Sequence, residues 1–273
     1  MERISDNAHL AAPSSPPTLK RKRSDSALPS PPLSANDRHG IQTLERAVNV
    51  LSTAATALSQ VTLLYQSDHK ARDGLVKAVD LLVRINQGGG KLVICGVGKS
   101  GLVAMKLVAT MKSLGLATSF LHAAEAVHGD LGDIRPNDAV LFISYSGRTA
   151  ELLGLLEHMP PSIPILAITS HILPADCALL SARSSSILLP APIHELEEES
   201  FGVCAPTTST TVAIAVGDML ALTAAEALHD GKTKDIFRKN HPGGAIGSQC
   251  PGIGRDYEGK SCTKKAKGPI SPS

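Results

Sequence analysis

Two stretches rich in glycine and hydroxyl residues carry the side chains whose types and spacing could do chemistry. In "KLVICGVGKSGLVA" (residues 91–104) an apolar run enters a glycine turn holding Lys99 and Ser100, then continues with apolar residues at helical spacing. Free N–H groups at a helix start, with a lysine beside them, suit a phosphate. Three kinds of site share this look. A dinucleotide loop finds a literal match in Gly96, Gly98 and Gly101, with Glu125 at about the separation of a ribose-binding acid. That acid should close the second strand, however, and Glu125 follows His122 in what reads as the next helix. A nucleoside triphosphate loop would need glycine at Val93, so only Lys99 and Ser100 match it.

The third kind, a sugar-phosphate loop, is favoured by the second stretch, "LFISYSGRTAELLGLLEH". Ser144, Ser146 and Thr149 surround Gly147 just before a helix, and a further hydroxyl cluster, Pro206 to Thr211 with Thr207 and Ser209, opens a later one. By frequency alone each is a Ser/Thr helix cap. Loops at the carboxyl ends of parallel strands converge, and converging hydroxyls suit a monophosphate on a polyol. Lys99 at a helix start is disfavoured by the helix dipole unless an anion is near, and it would counter a phosphate or polarise a developing oxyanion. His241, in "NHPGGAIG", is the natural acid/base candidate near neutrality, although a His before Pro-Gly-Gly is by itself more often a turn residue.

The elements that must position these groups are legible in the pattern. Leu44, Val48, Leu51, Ala55 and Leu58, then Leu75, Val79, Leu82 and Val83, recur at helical steps and predict two amphipathic helices before the glycine loop. Leu92 to Cys95, Thr118 to Leu121, Ala139 to Ser144, Ile165 to Thr169 and Ser186 to Leu189 read as strands, with intervals that suit crossover helices. This is a parallel α/β sheet. A long helix from about Thr208 to His229 and a short one near Thr233 to Lys239 follow.

Composition bounds the rest. Of the 273 residues 42% are apolar, enough for a sizeable core, and the apolar runs read as shorter than a membrane span. The N-terminus lacks the apolar core of a secretory signal, so a cytoplasmic address is expected. Five scattered cysteines without a C-x-x-C pair imply neither disulfides nor zinc. Residues 41–247 hold 16 Lys/Arg against 19 Asp/Glu, which argues against a broad nucleic-acid footprint. Positive charge collects in Lys20 to Arg23, read as a solvated run with a nuclear import signal as the alternative, and in Lys260 to Lys267. Residues 1–40, rich in Pro and Ser, and residues 248–273 are expected to be disordered tails.

"GVGKSG", "HAAEAVHGDLG", "ISYSGRTAEL", "APTTSTT" and "NHPGGAIG" occur in the order and spacing of the sugar isomerase (SIS) domain, and resemble its arabinose 5-phosphate isomerase branch over Ile41 to Gly247. The resemblance implies a three-layer α/β/α sandwich around a five-stranded parallel sheet. It implies interconversion of D-ribulose 5-phosphate and D-arabinose 5-phosphate through an enediol, without a metal or organic cofactor. Lys99, His128, Glu151, Glu198 and His241 become catalytic candidates; Gly98, Ser100, Ser144, Ser146, Gly147, Thr149, Thr207 and Ser209 become substrate-binding ones. Without the resemblance Glu151 is a carboxylate favoured by a helix N-terminus, and His128 equally a buried structural histidine. The count back from Ala205-Pro-Thr selects Glu198, and a one-residue gap selects Glu197; the neighbouring acids read as a solvated loop. The base is not assigned uniquely among these groups. His241 is implied to come from a neighbouring subunit, hence a homodimer or homotetramer with no nucleic-acid or membrane partner. Many bacterial members add cystathionine-β-synthase-like repeats, for which the chain after Gly247 is too short.

Two departures stand out: Tyr145 and Arg148 occupy positions that usually read Asn and Glu. Arg148 adds a cation beside the expected phosphate. A rival reading keeps the same pocket in a non-catalytic sugar-phosphate sensor, since fold does not settle function. An NAD-binding oxidoreductase survives only on the glycine pattern.

Overall fold

A computed structural model describes residues 38–181, 183 and 186–243. The two tails, with Lys20 to Arg23 and Lys260 to Lys267, lie outside the described residues except for residues 38–40. These three open the first helix, α1 (Arg38–Ser67), rather than ending a tail. By its contacts the chain divides after Glu45. In the first unit, Arg38 to Glu45 is the opening of α1, where Thr43 Oγ1 donates to His39 O over 2.9 Å.

The second unit, from Arg46, holds the sheet. After α1 come α2 (His69–Gln87), β1 (Leu92–Gly96), α3 (Lys99–Ser113), β2 (Thr118–Leu121), α4 (Ala123–Ala126) and β3 (Ala139–Ile143). Then follow α5 (Ala150–Glu157), β4 (Ile165–Thr169), α6 (Ala178–Ser181), β5 (Ser186–Pro190), α7 (Glu197–Phe201), α8 (Thr208–His229) and α9 (Thr233–Lys239). All strand pairs are parallel, in the order β2-β1-β3-β4-β5. The expected five-stranded parallel sheet is observed, with strand ends within one residue of the predicted ones.

Strands buried on both faces read as continuous apolar runs, and successive side chains go to opposite sides. Leu92, Ile94, Leu141, Ile143, Leu166 and Ile168 enter one core with α2, α3 and α8. Val93, Cys95, Val140, Phe142, Ile165 and Ala167 enter the other with α5 and α6. Burial pushes the Cys95 thiol up to about 12. Two helices, α1 and α8, are long and apolar enough to cross a membrane by length and composition, which corrects the expectation that no run approaches that length. α8 places Val212, Val216, Leu220, Ala221 and Ala224 in the core.

Glycines set how closely layers approach. A Cβ on Gly101 would lie 3.0 Å from Gly96 O, and one on Gly96 would lie 2.7 Å from Ser100 O. Two of the three glycines of the G-x-G-x-x-G match are thus explained by packing of α3 on β1, with no dinucleotide needed. At the amino edge of the sheet Asp138, 1% exposed, accepts from Lys91 Nζ at 2.7 Å, Lys91 N at 2.8 Å and Arg135 N at 2.9 Å. Burial raises the Asp138 carboxyl, but the Lys91 hydrogen bond, the two N–H donors and the Lys91 charge outweigh it and hold it below the ordinary range.

A group whose folded pKa is depressed contributes stability above its unfolded pKa and loses it as pH falls through the folded value. Asp138→Asn should therefore cost about 3 kcal/mol in urea unfolding at pH 7, because Lys91 loses its buried partner. The deficit relative to wild type should shrink on acidification below the usual carboxylate range.

Candidate functional site

Strand order reverses between β1 and β3, and the crevice at such a switch point is where open α/β sheets bind ligands. A cavity of about 440 Å³ opens there, over the carboxyl ends of β1, β3, β4 and β5. Val97, Lys99 and Ser100 line it from the first loop, Tyr145 from the second, and Glu197, Glu198, Cys204, Ser209 and Thr210 from α7 and the start of α8.

The first loop turns at Gly98, whose φ of 57° is costly for a side chain, and no side chain caps α3. Lys99 is exposed at the first position of that uncapped helix. The second loop is braced from within. Ser144 Oγ lies 2.8 Å from Thr149 Oγ1 and accepts from Gly147 N at 3.1 Å, while Ser146 Oγ accepts from Arg148 N at 3.2 Å. Gly147 has φ 60°, and a Cβ there would meet Cys177 Sγ at 2.8 Å. No side chain caps α5, which begins after Thr149. Ser144 is thus a buried brace, Ser146 is exposed, and neither lines the cavity in this arrangement.

The acidic stretch before "APT" forms the short helix α7 rather than a loop, while Glu195 and Glu199 stay exposed as expected. Glu195 Oε2 accepts from Ser200 Oγ at 2.6 Å and Glu199 Oε2 from Leu196 N at 3.3 Å. Glu197 Oε1 accepts from Thr207 N at 2.6 Å, Ser209 N at 3.0 Å and Ser209 Oγ at 2.8 Å, so it caps the long helix α8 from another element. Thr207 and Ser209, expected to hold sugar or phosphate, have these donors turned to Glu197. Glu198, the carboxylate selected by counting, lines the cavity, and its Oε2 accepts from Cys204 Sγ at 3.2 Å. That bond, followed by the Glu198 charge, raises the Cys204 thiol.

Three candidates stand apart from the cavity of their own chain. Glu151 is exposed in the first turn of α5, and His128 is exposed just beyond α4. Glu125 also lies in α4 and not at the end of β2, against a dinucleotide site. His241 follows α9, with Nδ1 2.7 Å from Phe237 O. α3 and α8 run side by side in the same direction: Lys106 pairs with Asp218 near the middle, and His229 Nε2 lies 2.9 Å from Leu114 O at the far end. Asn240 Nδ2 donates to Lys112 O at 3.3 Å and Ser113 O at 3.2 Å. His241 therefore sits at the end of α3 remote from Lys99, roughly 20 Å away at 1.5 Å per residue.

Residues 85–223 match the SIS domain family model. The chain belongs to the SIS domain family. It is 41% identical over 175 residues, 64% of this chain and 50% of the relative, to the arabinose 5-phosphate isomerase KdsD of Pseudomonas aeruginosa. It is 34% identical over 208 residues, 73% of this chain and 60% of the relative, to the arabinose 5-phosphate isomerase GutQ of Escherichia coli K12. The chain spans between 50% and 60% of the length of these curated relatives. Among solved structures, c3406 of E. coli CFT073 in complex with arabinose 5-phosphate superposes with a TM-score of 0.62 at 30% identity, covering 76% of this chain and all of that one.

Counting motifs along the chain did not mark Cys204 or the helix-capping role of Glu197 as parts of the site. The position of Cys204 directly before Ala-Pro-Thr was a usable signal; the cap is a contact between elements and left none. Replacing Glu198 by Gln should lower the Cys204 pKa towards its ordinary value and so speed alkylation by iodoacetamide at pH 8, read by mass spectrometry of the Cys204 peptide. Glu199→Gln should leave the rate unchanged.

Proposed function

We propose that this SIS domain is an aldose-ketose isomerase of sugar phosphates, interconverting D-ribulose 5-phosphate and D-arabinose 5-phosphate. The observation that carries the reading is the polarity of the switch-point cavity. One side offers Lys99 beside an uncapped helix start, a place for one phosphate, and the other offers the Glu198 carboxylate. The names of the relatives point to the same substrate.

In the reaction a base removes the proton from C2 of the open-chain aldose, the carbonyl oxygen at C1 gains a proton, and an enediol forms. Loss of the proton on O2 and protonation at C1 give the ketose. Lys99 counters phosphate or the developing oxyanion beside Gly98 and Ser100, and the loop of Ser144, Ser146, Gly147 and Thr149 reaches the cavity through Tyr145. Glu198 and His241 share the proton transfer, with His128 and Glu151 as further candidates. Because His241 lies roughly 20 Å along α3 from Lys99, the reading takes it from a second copy, so the active unit is a homo-oligomer. A charged sugar phosphate does not cross a bilayer unaided, which favours a cytoplasmic enzyme.

Proton NMR of D-arabinose 5-phosphate with the protein in deuterated water should show ribulose 5-phosphate labelled at the carbon alpha to the carbonyl, and no product with His241→Ala. An unchanged sugar whose phosphate resonance broadens on titration would instead favour the sensor. Mixing inactive His241→Ala and Glu198→Gln proteins after brief dissociation should recover up to about a quarter of wild-type activity, as half the dimers then carry one intact shared site. No recovery would place both groups on one chain's site.

A further inference from the structure

The side-chain hydroxyls that line the cavity differ in whether their hydrogen is already committed. Thr169 Oγ1 donates to Tyr145 O at 3.0 Å, Ser209 Oγ to Glu197 Oε1 at 2.8 Å and Thr210 Oγ1 to Thr207 O at 2.8 Å. Ser100 and Tyr145 line the cavity too, and among the described residues neither hydroxyl has a hydrogen-bond partner. Ser100 lies beside Lys99 and already has a place among the substrate contacts. Tyr145 stands on the opposite loop, half-buried, and the isomerase reading gives its phenol no task. Its backbone is held at one atom: Tyr145 O accepts from Ser170 N at 3.0 Å, Ser170 Oγ at 2.7 Å and Thr169 Oγ1 at 3.0 Å. Three donors on a single carbonyl fasten the turn after β3 to the end of β4, and so fix the backbone from which the ring projects. Val97, Ile143, Ile168 and Ala191 give the same cavity apolar walls, where a hydrogen bond to a charge is worth more than in water. Burial first, and the Glu197 carboxylate second, raise the phenol, so it keeps its proton through the neutral range and feels the acids of α7.

We propose that Tyr145 is a further catalytic residue, whose phenol donates a hydrogen bond to the C1 oxygen of the open-chain sugar as the enediol forms. The inference rests on the isomerase reading and adds a donor to it. The influence of Glu197 puts the phenol towards the α7 side of the cavity, where Glu198 meets the carbons that exchange the proton. As the base takes the C2 proton, the C–H electron pair becomes the second C1–C2 bond and the C1–O π pair moves onto oxygen. That oxygen gains charge in the transition state, so a donor aimed at it lowers the barrier more than it tightens binding of the sugar. A phenol suits the task better than an aliphatic hydroxyl, because it is the stronger acid and still stays protonated at neutral pH. It keeps its proton throughout; the proton that the C1 oxygen gains comes from the acid/base groups, Glu198 and His241.

The test compares Tyr145→Phe, which keeps the ring and removes only the hydroxyl, with Tyr145→Ala, both in the full chain. Turnover of D-arabinose 5-phosphate is followed by proton NMR. D-arabinitol 5-phosphate, which has no carbonyl and cannot isomerise, is titrated calorimetrically into each protein. Tyr145→Phe should lose kcat on the order of a hundredfold, and kcat/KM by the same factor, while its affinity for the arabinitol phosphate stays within about threefold of wild type. That retained binding shows the variant folded. Its kcat should fall by the same factor at every pH between about 6 and 9, because the phenol does not titrate there.

A kcat for Tyr145→Phe within about twofold of wild type would overturn the proposal, and a loss in Tyr145→Ala alone would then make the ring only a wall of the cavity. A loss of arabinitol phosphate affinity as large as the loss in kcat/KM would make the phenol a ground-state contact, and overturn it too. So would a loss confined to one side of the pH profile, which marks a group that exchanges protons with the sugar. In each of these cases wild-type turnover leaves the isomerase reading standing. If wild type leaves the sugar unchanged, the isomerase reading itself falls, and this inference with it.

Discussion

Five parallel strands buried on both faces impose the constraint from which the site follows. Every connection has to cross a face of the sheet, and where the order turns outward from β1 to β2 on one side and to β3 on the other, two neighbouring strand ends send their chains to opposite layers. α3 packs with the core on one face and α5 with the core on the other. The crevice between their starts is therefore a product of topology, and loop sequence has only to decide what it holds. The close contact of Gly101 with Gly96 O, 3.0 Å for a Cβ, draws α3 down onto β1 and keeps Lys99 at the rim of that crevice.

Helix starts are costly to leave unsatisfied, and their treatment separates structural from available ones. α2 is capped by Asp68, whose Oδ1 accepts from Ala71 N at 2.8 Å. α8 is capped by Glu197 from a different element. α3 and α5, at the switch point, have no side-chain cap. Such a distribution leaves the two helix starts at the switch point without a side-chain cap and closes those of α2 and α8. It also accounts for the short acidic helix: α7 has to hold Glu197 against α8, and in doing so it presents the next residue, Glu198, towards the cavity and Cys204.

The elements that bury both faces or one long stripe were legible. Leu92 to Cys95 and Ala139 to Ile143 are too apolar for loops and too short for helices, and α8 ended at His229 as its small apolar residues suggested. α7 was not legible, because "EEES" has no apolar period and its order comes from contacts ten and twelve residues away. The hydroxyl clusters were found correctly as clusters, yet their partners were not. Ser144 braces its own loop and Ser209 faces a carboxylate, and residue type cannot reveal which donors are already taken. Arg148, read as a cation beside phosphate, is exposed and off the cavity wall, whereas Tyr145 lines it.

The placement of His241 follows from the same geometry that builds the cavity. α3 and α8 lie parallel, so both starts face the crevice and both ends face away from it. The turn at Asp230 and Gly231, with φ of 48° and 77°, returns the chain only as far as α9. Asn240 then fastens the segment to the last carbonyls of α3. A chain fastened there has its histidine at the wrong end of its own domain by the full length of a helix. Bringing that imidazole to Lys99 within one chain would break the hydrogen bonds of Asn240 to Lys112 O and Ser113 O and swing α9 away from the end of α3, whereas a second copy could supply it with both left in place.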